Sequence, residues 1–210
     1  MKKSTFLFSL LITLCVFNTL NSQETAALSN DIPQNFKKRS PVYDYSEKHL
    51  NNVDTIPDFV SKTNKLKITG TIFESDGVTP AKNVILFIHQ TDENGNFELK
   101  RENKKRYVHH RGWIKTNADG KYTFYTFVPG SYFNGKEIKQ ILPIIKAPGQ
   151  DEKKIESYVF NDDPSLKDSC REDIEKTNPT RILDLTFNKE EGLFIAKRNI
   201  ILGKEETDSF

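Results

Sequence analysis

Residues 111–127 read Arg-Gly-Trp-Ile-Lys-Thr, then Asn-Ala-Asp-Gly, then Lys-Tyr-Thr-Phe-Tyr-Thr-Phe. Both flanks are rich in aromatic and β-branched residues, which suit a pleated and half-buried surface. The four residues between them end in Asp119-Gly120, the composition of a tight reversal, and predict a β-hairpin. Tyr122 and Tyr125 lie three apart, so they face opposite sides of their strand and form no shared platform for a ligand. Trp113 is expected as a core anchor. Upstream, Leu66, Ile68, Gly70 and Ile72 alternate with Lys67, Thr69 and Thr71, which is the pattern of a half-buried strand. Ser75-Asp76-Gly77 turns the chain. Residues 84–88, Val-Ile-Leu-Phe-Ile, are unbroken apolar sequence and predict a strand covered on both faces. Asp92-Glu93-Asn94-Gly95 and Pro129-Gly130 are further turns, and 142–145, 157–160, 181–187 and 193–201 are further strands. Only 165–176, following Pro164, reads as a helix. Many short strands between turn signals define an all-β chain, an antiparallel β-sandwich with one short helix.

The composition agrees. A chain of 210 residues suffices for one domain with a sizeable core. With 36% hydrophobic and 29% charged residues it is globular rather than collagen-like or membrane-embedded. Residues 1–22 read as a signal peptide. Lys2 and Lys3 precede a short apolar run, 6–17, too short to span a bilayer, and cleavage after Ser22 is expected. The mature protein is then extracytoplasmic, periplasmic or secreted, and has no transmembrane span. Cys15 lies inside the apolar run, after Leu14, which argues against a lipoprotein. Without Lys2 and Lys3, the remaining bases balance the 29 acids. Such neutrality argues against nucleic acid as a partner. Cys170 is the one thiol left after cleavage, so no internal disulfide framework exists.

Residues 23–64 are polar, contain Pro33, Pro41 and Pro57, and are expected to be a partly disordered lead-in that becomes ordered near 56–60. The sandwich is placed at 65–203, with a tail at 204–210. There is no Gly-rich phosphate loop, no zinc-type spacing of Cys and His, and no nucleophile elbow. The histidines are His49, His89, His109 and His110. If His109 and His110 lie in a strand, they point to opposite faces and cannot share a metal. Lys100, Arg101, Lys104, Lys105 and Arg106 read as a solvated hairpin tip.

The order and spacing of several short motifs resemble the intradiol ring-cleavage dioxygenases, in particular a bacterial secreted subgroup. They are Thr69-Gly70-Thr71-Ile72 with Asp76-Gly77, Thr91-Asp92 with Gly95, Arg111-Gly112-Trp113 with Lys115-Thr116, and Asp119-Gly120-Lys121-Tyr122. Pro129 with Tyr132, Pro143-Ile144-Ile145-Lys146 with Pro148-Gly149, 160–164 and 198–203 continue the match. The resemblance implies a prealbumin-related sandwich and a ferric ion held by two tyrosines and two histidines. Phenolate oxygen suits a trivalent ion, and imidazole completes the set. Carried over position by position, the metal ligands fall on Phe97, Tyr132, Gln140 and Leu142. Only Tyr132 retains a family ligand. A substrate-side arginine common in the family falls on Glu137.

The reading is therefore of an intradiol dioxygenase-like protein without catalytic residues of that kind and without the iron cofactor. Its pocket is expected among Phe97, Arg111, Trp113, Tyr132, Gln140 and Leu142, open to a small aromatic ligand or to a protein or glycan partner. One alternative is an active ferric dioxygenase with relocated ligands, drawn from His89, Tyr107, His109 and His110. Another is a structural or adhesion module.

Overall fold

The computed structural model describes residues 32–47 and 49–204. The leader expected over 1–22, with Cys15, lies outside the described residues. Residues 32–39 belong to a unit of their own, in which the Lys38 and Arg39 amides turn back on the Asn35 carbonyl. The second unit runs from Ser40 onward.

Strand β1 is Val53–Thr55, β2 Lys65–Phe73, β3 Ile85–Gln90, β4 Leu99–Glu102, β5 Lys105–Val108, β6 Arg111–Lys115 and β7 Lys121–Phe127. Helix α1 is Tyr132–Gly135. Strands β8 Gln140–Lys146, β9 Lys153–Lys154 and β10 Tyr158–Phe160 follow, then helix α2 Asp168–Thr177. Strands β11 Ile182–Leu183, β12 Thr186–Asn188, β13 Leu193–Lys197 and β14 Ile200–Ile201 complete the chain. One sheet has the order β1-β7-β2-β13-β12, with β14 beside β2, and the other β11-β10-β8-β3-β6, with β9 beside β8. The expected sandwich is present. Its central pairs, β2–β7, β3–β6 and β3–β8, are antiparallel, and parallel pairs such as β1–β7 and β2–β13 extend it.

Alternation places the core. Leu66, Ile68 and Ile72 point inward from β2 with Phe124 from β7, and they meet Leu86, Ile88, Ile114 and Ile145 of the other sheet. Strand β3 is buried along almost its whole length, as its apolar run predicts. Gln90, buried in the same interior, donates to the Phe127 carbonyl and accepts from Thr126 Oγ1, so its amide is satisfied across the two sheets.

Three expectations are corrected. Residues 117–120 do not close a hairpin, because β6 pairs with β3 while β7 pairs with β2 and β1. Asn117 Oδ1 accepts from the Asp119 and Lys121 amides and Gly120 takes a positive φ of 66°, so the reversal is a corner that carries the chain from one sheet to the other. The predicted strand 181–187 likewise splits into β11 and β12, in different sheets. Finally, the sandwich begins well before residue 65. Val42 and Tyr43 are buried, β1 joins a sheet edge, and the Asn51 and Asn52 carbonyls accept from Lys115 of β6 and Thr123 of β7.

One close approach governs the centre of β2. A Cβ on Gly70 would lie 1.8 Å from the Arg198 carbonyl oxygen, which itself accepts from Tyr122 Oη at 2.8 Å. Backbone against backbone cannot yield as a side chain can. Gly70→Ala is expected to lower the unfolding free energy by about 3 kcal/mol, measured by urea denaturation; a loss under about 1 kcal/mol would mean that the crossing is not tight.

Candidate functional site

The core-facing residues of β8 are Ile141, Pro143 and Ile145, so Gln140, Leu142 and Ile144 occupy the other face of the second sheet. On the same face the register aligns Leu142 with His89 and Ile144 with Phe87, then His89 with Arg111 and Phe87 with Trp113. The result is a continuous line of rings. Trp113 lies 5.1 Å from Phe87, Phe87 5.4 Å from His89, His89 6.1 Å from Phe97, and Phe97 5.2 Å from Tyr132 (centroid distances). Tyr132 sits in the short helix α1 and is 45% exposed.

Ferric iron does not fit the four positions the resemblance assigns to it. Phe97 and Leu142 carry no donor atom, Gln140 offers a neutral amide, and Tyr132 alone offers a phenol. Phe97 packs against Tyr132 as hydrocarbon where a second phenol would be needed. His89 is the nearest nitrogen in this line of rings. Its Nδ1 is buried with no hydrogen-bond partner, and burial with the nearby Lys154 charge pushes its pKa down to about 4.

The remaining residues of interest lie elsewhere. Tyr107 stacks on Arg111, its ring centroid 3.7 Å from the guanidinium carbon, and Trp113 covers Arg111 from 4.9 Å. Arg111 makes no ion pair among the described residues. Trp113 is not the core anchor expected of it. It is half-buried on the outer face, and its Nε1 donates to the Pro41 carbonyl at 2.9 Å. Arg111 and Trp113 line a cleft of about 310 Å³ whose other walls are Asp44, Tyr45, His49, Asp54 and their neighbours. The expected single pocket is thus divided: Arg111 and Trp113 belong to this cleft, which Phe97, Tyr132, Gln140 and Leu142 do not line.

The two acids of the cleft are already engaged. Asp44 pairs with Lys105 at 2.6 Å, both side chains nearly covered. Asp54 accepts from the Trp113 amide and from the Thr55 amide, each at 2.8 Å. Burial raises the Asp54 pKa, although those two hydrogen bonds and His49 pull it down. Gly112 makes room for it, since a Cβ there would come within 2.8 Å of Asp54 Oδ2. Tyr45, His49 and Asp54 were hidden from sequence reasoning because they fall in the supposed lead-in. The apolar and polar residues of 53–56, Val-Asp-Thr-Ile, do not alternate, so the sequence carried no strand signal there.

His109 and His110 lie in a bend between β5 and β6, not in a strand, and this reverses the expectation that they point apart. Their ring centroids are 5.1 Å apart, and their nitrogens gather with Asp58 and Glu98. The basic stretch is a hairpin with an exposed β4, as expected, although Lys105 is drawn inward to Asp44.

No family model and no curated protein matches the chain. Solved structures do match, dioxygenases among them. The dioxygenase domain of a dioxygenase–carbohydrate-binding protein fusion from Streptomyces sp. SirexAA-E superposes with a TM-score of 0.56 at 18% identity, covering 81% of this chain and 96% of that one. An intradiol ring-cleavage dioxygenase from Tetranychus urticae gives 0.56 at 18% identity, covering 78% and 92%. Catechol 1,2-dioxygenase from Pseudomonas arvilla C-1 gives 0.57 at 15% identity, covering 76% and 60%. The chain has the fold of the intradiol ring-cleavage dioxygenases.

The unpartnered His89 sets a pH dependence. An unfolded histidine titrates near 6.5, whereas folded His89 stays neutral down to about 4. The unfolded chain therefore binds the proton first, and stability falls as pH drops from 6.5 to 4, by about 3 kcal/mol. His89→Phe is expected to flatten that acid limb in urea titrations between pH 4 and 7; an unchanged limb would show that His89 is protonated in the fold.

Proposed function

We propose that this chain is an extracytoplasmic protein with an intradiol dioxygenase-like fold that does not cleave catechols and instead binds a small aromatic carboxylate in the cleft beside Arg111. The observation that carries the reading is the state of Arg111. A half-buried guanidinium held between two aromatic rings, with no acid paired to it, is an anion receptor in waiting. Asp44 and Glu102 act on it only from beyond ion-pair distance, Asp44 being paired with Lys105, and Asp54 is bonded to two backbone amides. Trp113 gives the cleft an apolar wall for a ring, and His49 adds a further donor.

The loss of ring-cleavage chemistry is supported by the donor count at Phe97, Tyr132, Gln140 and Leu142. A relocated ferric site with phenolate ligands draws no support from Tyr107, His109 and His110, since Tyr107 is committed to Arg111 and the cluster that gathers His109 and His110 with Asp58 and Glu98 contains no phenol. Export rests on the signal-like sequence of residues 1–22. Among the described residues no helix is long and apolar enough to cross a membrane.

Trp113 is the only tryptophan and reports the cleft directly. Benzoate is expected to quench its fluorescence saturably, and Arg111→Gln to weaken that binding by at least about tenfold, the loss of one charge-assisted bond. Absence of saturable quenching, or an affinity indifferent to Arg111→Gln, would contradict the proposal.

A further inference from the structure

A second cluster, separate from the Arg111 cleft and from the positions equivalent to iron ligands, has the chemistry of a metal site. Asp58 precedes a short turn after β1, Glu98 leads into β4, and His109 and His110 leave β5. One ligand atom from each lies within 4.8 Å of every other. His109 Nε2 is 2.9 Å from Asp58 Oδ2, and His110 Nε2 is 3.6 Å from the same oxygen and 3.8 Å from Glu98 Oε2. Donors about 2.0–2.1 Å from a tetrahedral ion stand about 3.3 Å from one another, so these three pairs are within about 0.5 Å of that spacing and the remaining ones close by at most about 1.5 Å.

Two independent observations show that these groups lack a satisfactory protein partner. The His110 side chain is 1% exposed, yet neither of its ring nitrogens has a hydrogen bond. An unsatisfied imidazole in the interior is costly; the two carboxylates stand beyond hydrogen-bond reach, and the Lys62 charge acts on the same ring. In addition, His109 Nε2 is approached at 2.9 Å by a carboxylate and at 3.0 Å by the Lys100 ammonium. One ring nitrogen donates to the first or accepts from the second, and cannot do both. A cation among the four donors satisfies His110 Nε2 and removes the conflict at His109 Nε2, since each imidazole then presents a lone pair there and each carboxylate a negative oxygen.

We propose that Asp58, Glu98, His109 and His110 bind a divalent first-row transition ion of the Zn²⁺ type. Two imidazoles favour such an ion over Ca²⁺ or Mg²⁺, which take oxygen shells. The ion ties the base of the β4–β5 hairpin, where the His109 amide donates to the Glu98 carbonyl, to the loop after β1. It displaces Lys100, which stands 3.2 Å from Glu98 and supplies part of the same positive charge.

Co²⁺ titration of the tag-free chain tests this, because Co²⁺ in a nitrogen–oxygen site of low coordination number absorbs visibly. One equivalent per chain is expected, displaced by Zn²⁺, with a raised melting temperature for either ion. Asp58→Asn and Glu98→Gln alter exposed carboxylates and spare the buried His110, and each is expected to weaken binding by at least about tenfold. Asparagine also tolerates the left-handed φ of 64° at residue 58. Lys100→Ala is expected to tighten binding. Cys170→Ser, which removes the exposed thiol, is expected to leave it unchanged. No stoichiometric uptake by the wild type, binding undiminished in both carboxylate variants while circular dichroism shows them folded, or binding lost in Cys170→Ser would overturn the assignment.

Discussion

The crossing of Arg198 over Gly70 holds the two sheets in register. The Arg198 amide donates to the Thr69 carbonyl at 2.9 Å, and its own carbonyl lies against Gly70 where any side chain would stand. Its guanidinium lies 4.3 Å from the Tyr158 ring centroid and donates to the Glu156 carbonyl at 2.8 Å. Tyr122 completes the clamp, bonding Arg198 from β7 and approaching the Tyr158 hydroxyl to 3.2 Å. These contacts hold the guanidinium in the interior, although its Nε has no hydrogen-bond partner. The consequence reaches the outer face. Tyr158 pairs with Ile141, so the clamp also fixes β8 and with it the placement of Gln140 and Leu142 beside β3. A slip of one residue would turn Gln140 and Leu142 into the core.

With that register fixed, the chemistry of the outer face follows from side-chain identity. Phenol, amide and two hydrocarbons make an apolar surface with one hydroxyl, not a shell for a trivalent ion. The chain has the fold of the intradiol dioxygenases, and fold alone does not decide function. What the sheet offers in place of donors is a row of rings from Trp113 to Tyr132, ending at a guanidinium that Tyr107 and Trp113 keep oriented. The segment 41–57 builds the other wall of that recess, and its polar groups are settled by Lys105 and by the Trp113 and Thr55 amides.

Period-two alternation made β2 and β7 legible from the sequence, and an unbroken apolar run did so for β3, because burial writes directly into such patterns. Turn residues were legible too, but only as reversals. Asn117 and Gly120 specify that the chain turns and leave open which sheet the next strand joins, since that depends on Thr123 meeting Asn52 and Thr69, both distant in sequence. The short β1 was obscured for a related reason. Three residues carry too little periodicity to register, two of them are exposed, and the strand is placed by its pairing with β7 rather than by its own composition. The facing of His109 and His110 was not legible, because it turns on whether they lie in a strand, and a bend brings adjacent rings together.

The central claim is that the fold is retained without its ferric chemistry, and iron content read together with the visible spectrum tests it most directly. Residues 23–210, produced with iron supplementation and a ferric reconstitution step, are expected to show no phenolate-to-iron charge-transfer band. Iron taken up by the cluster of Asp58, Glu98, His109 and His110 would add no such band, because that site contains no phenol. About one ferric ion per chain (the stoichiometry of a single site) with an intense visible band would contradict the account and make Tyr132 a metal ligand after all.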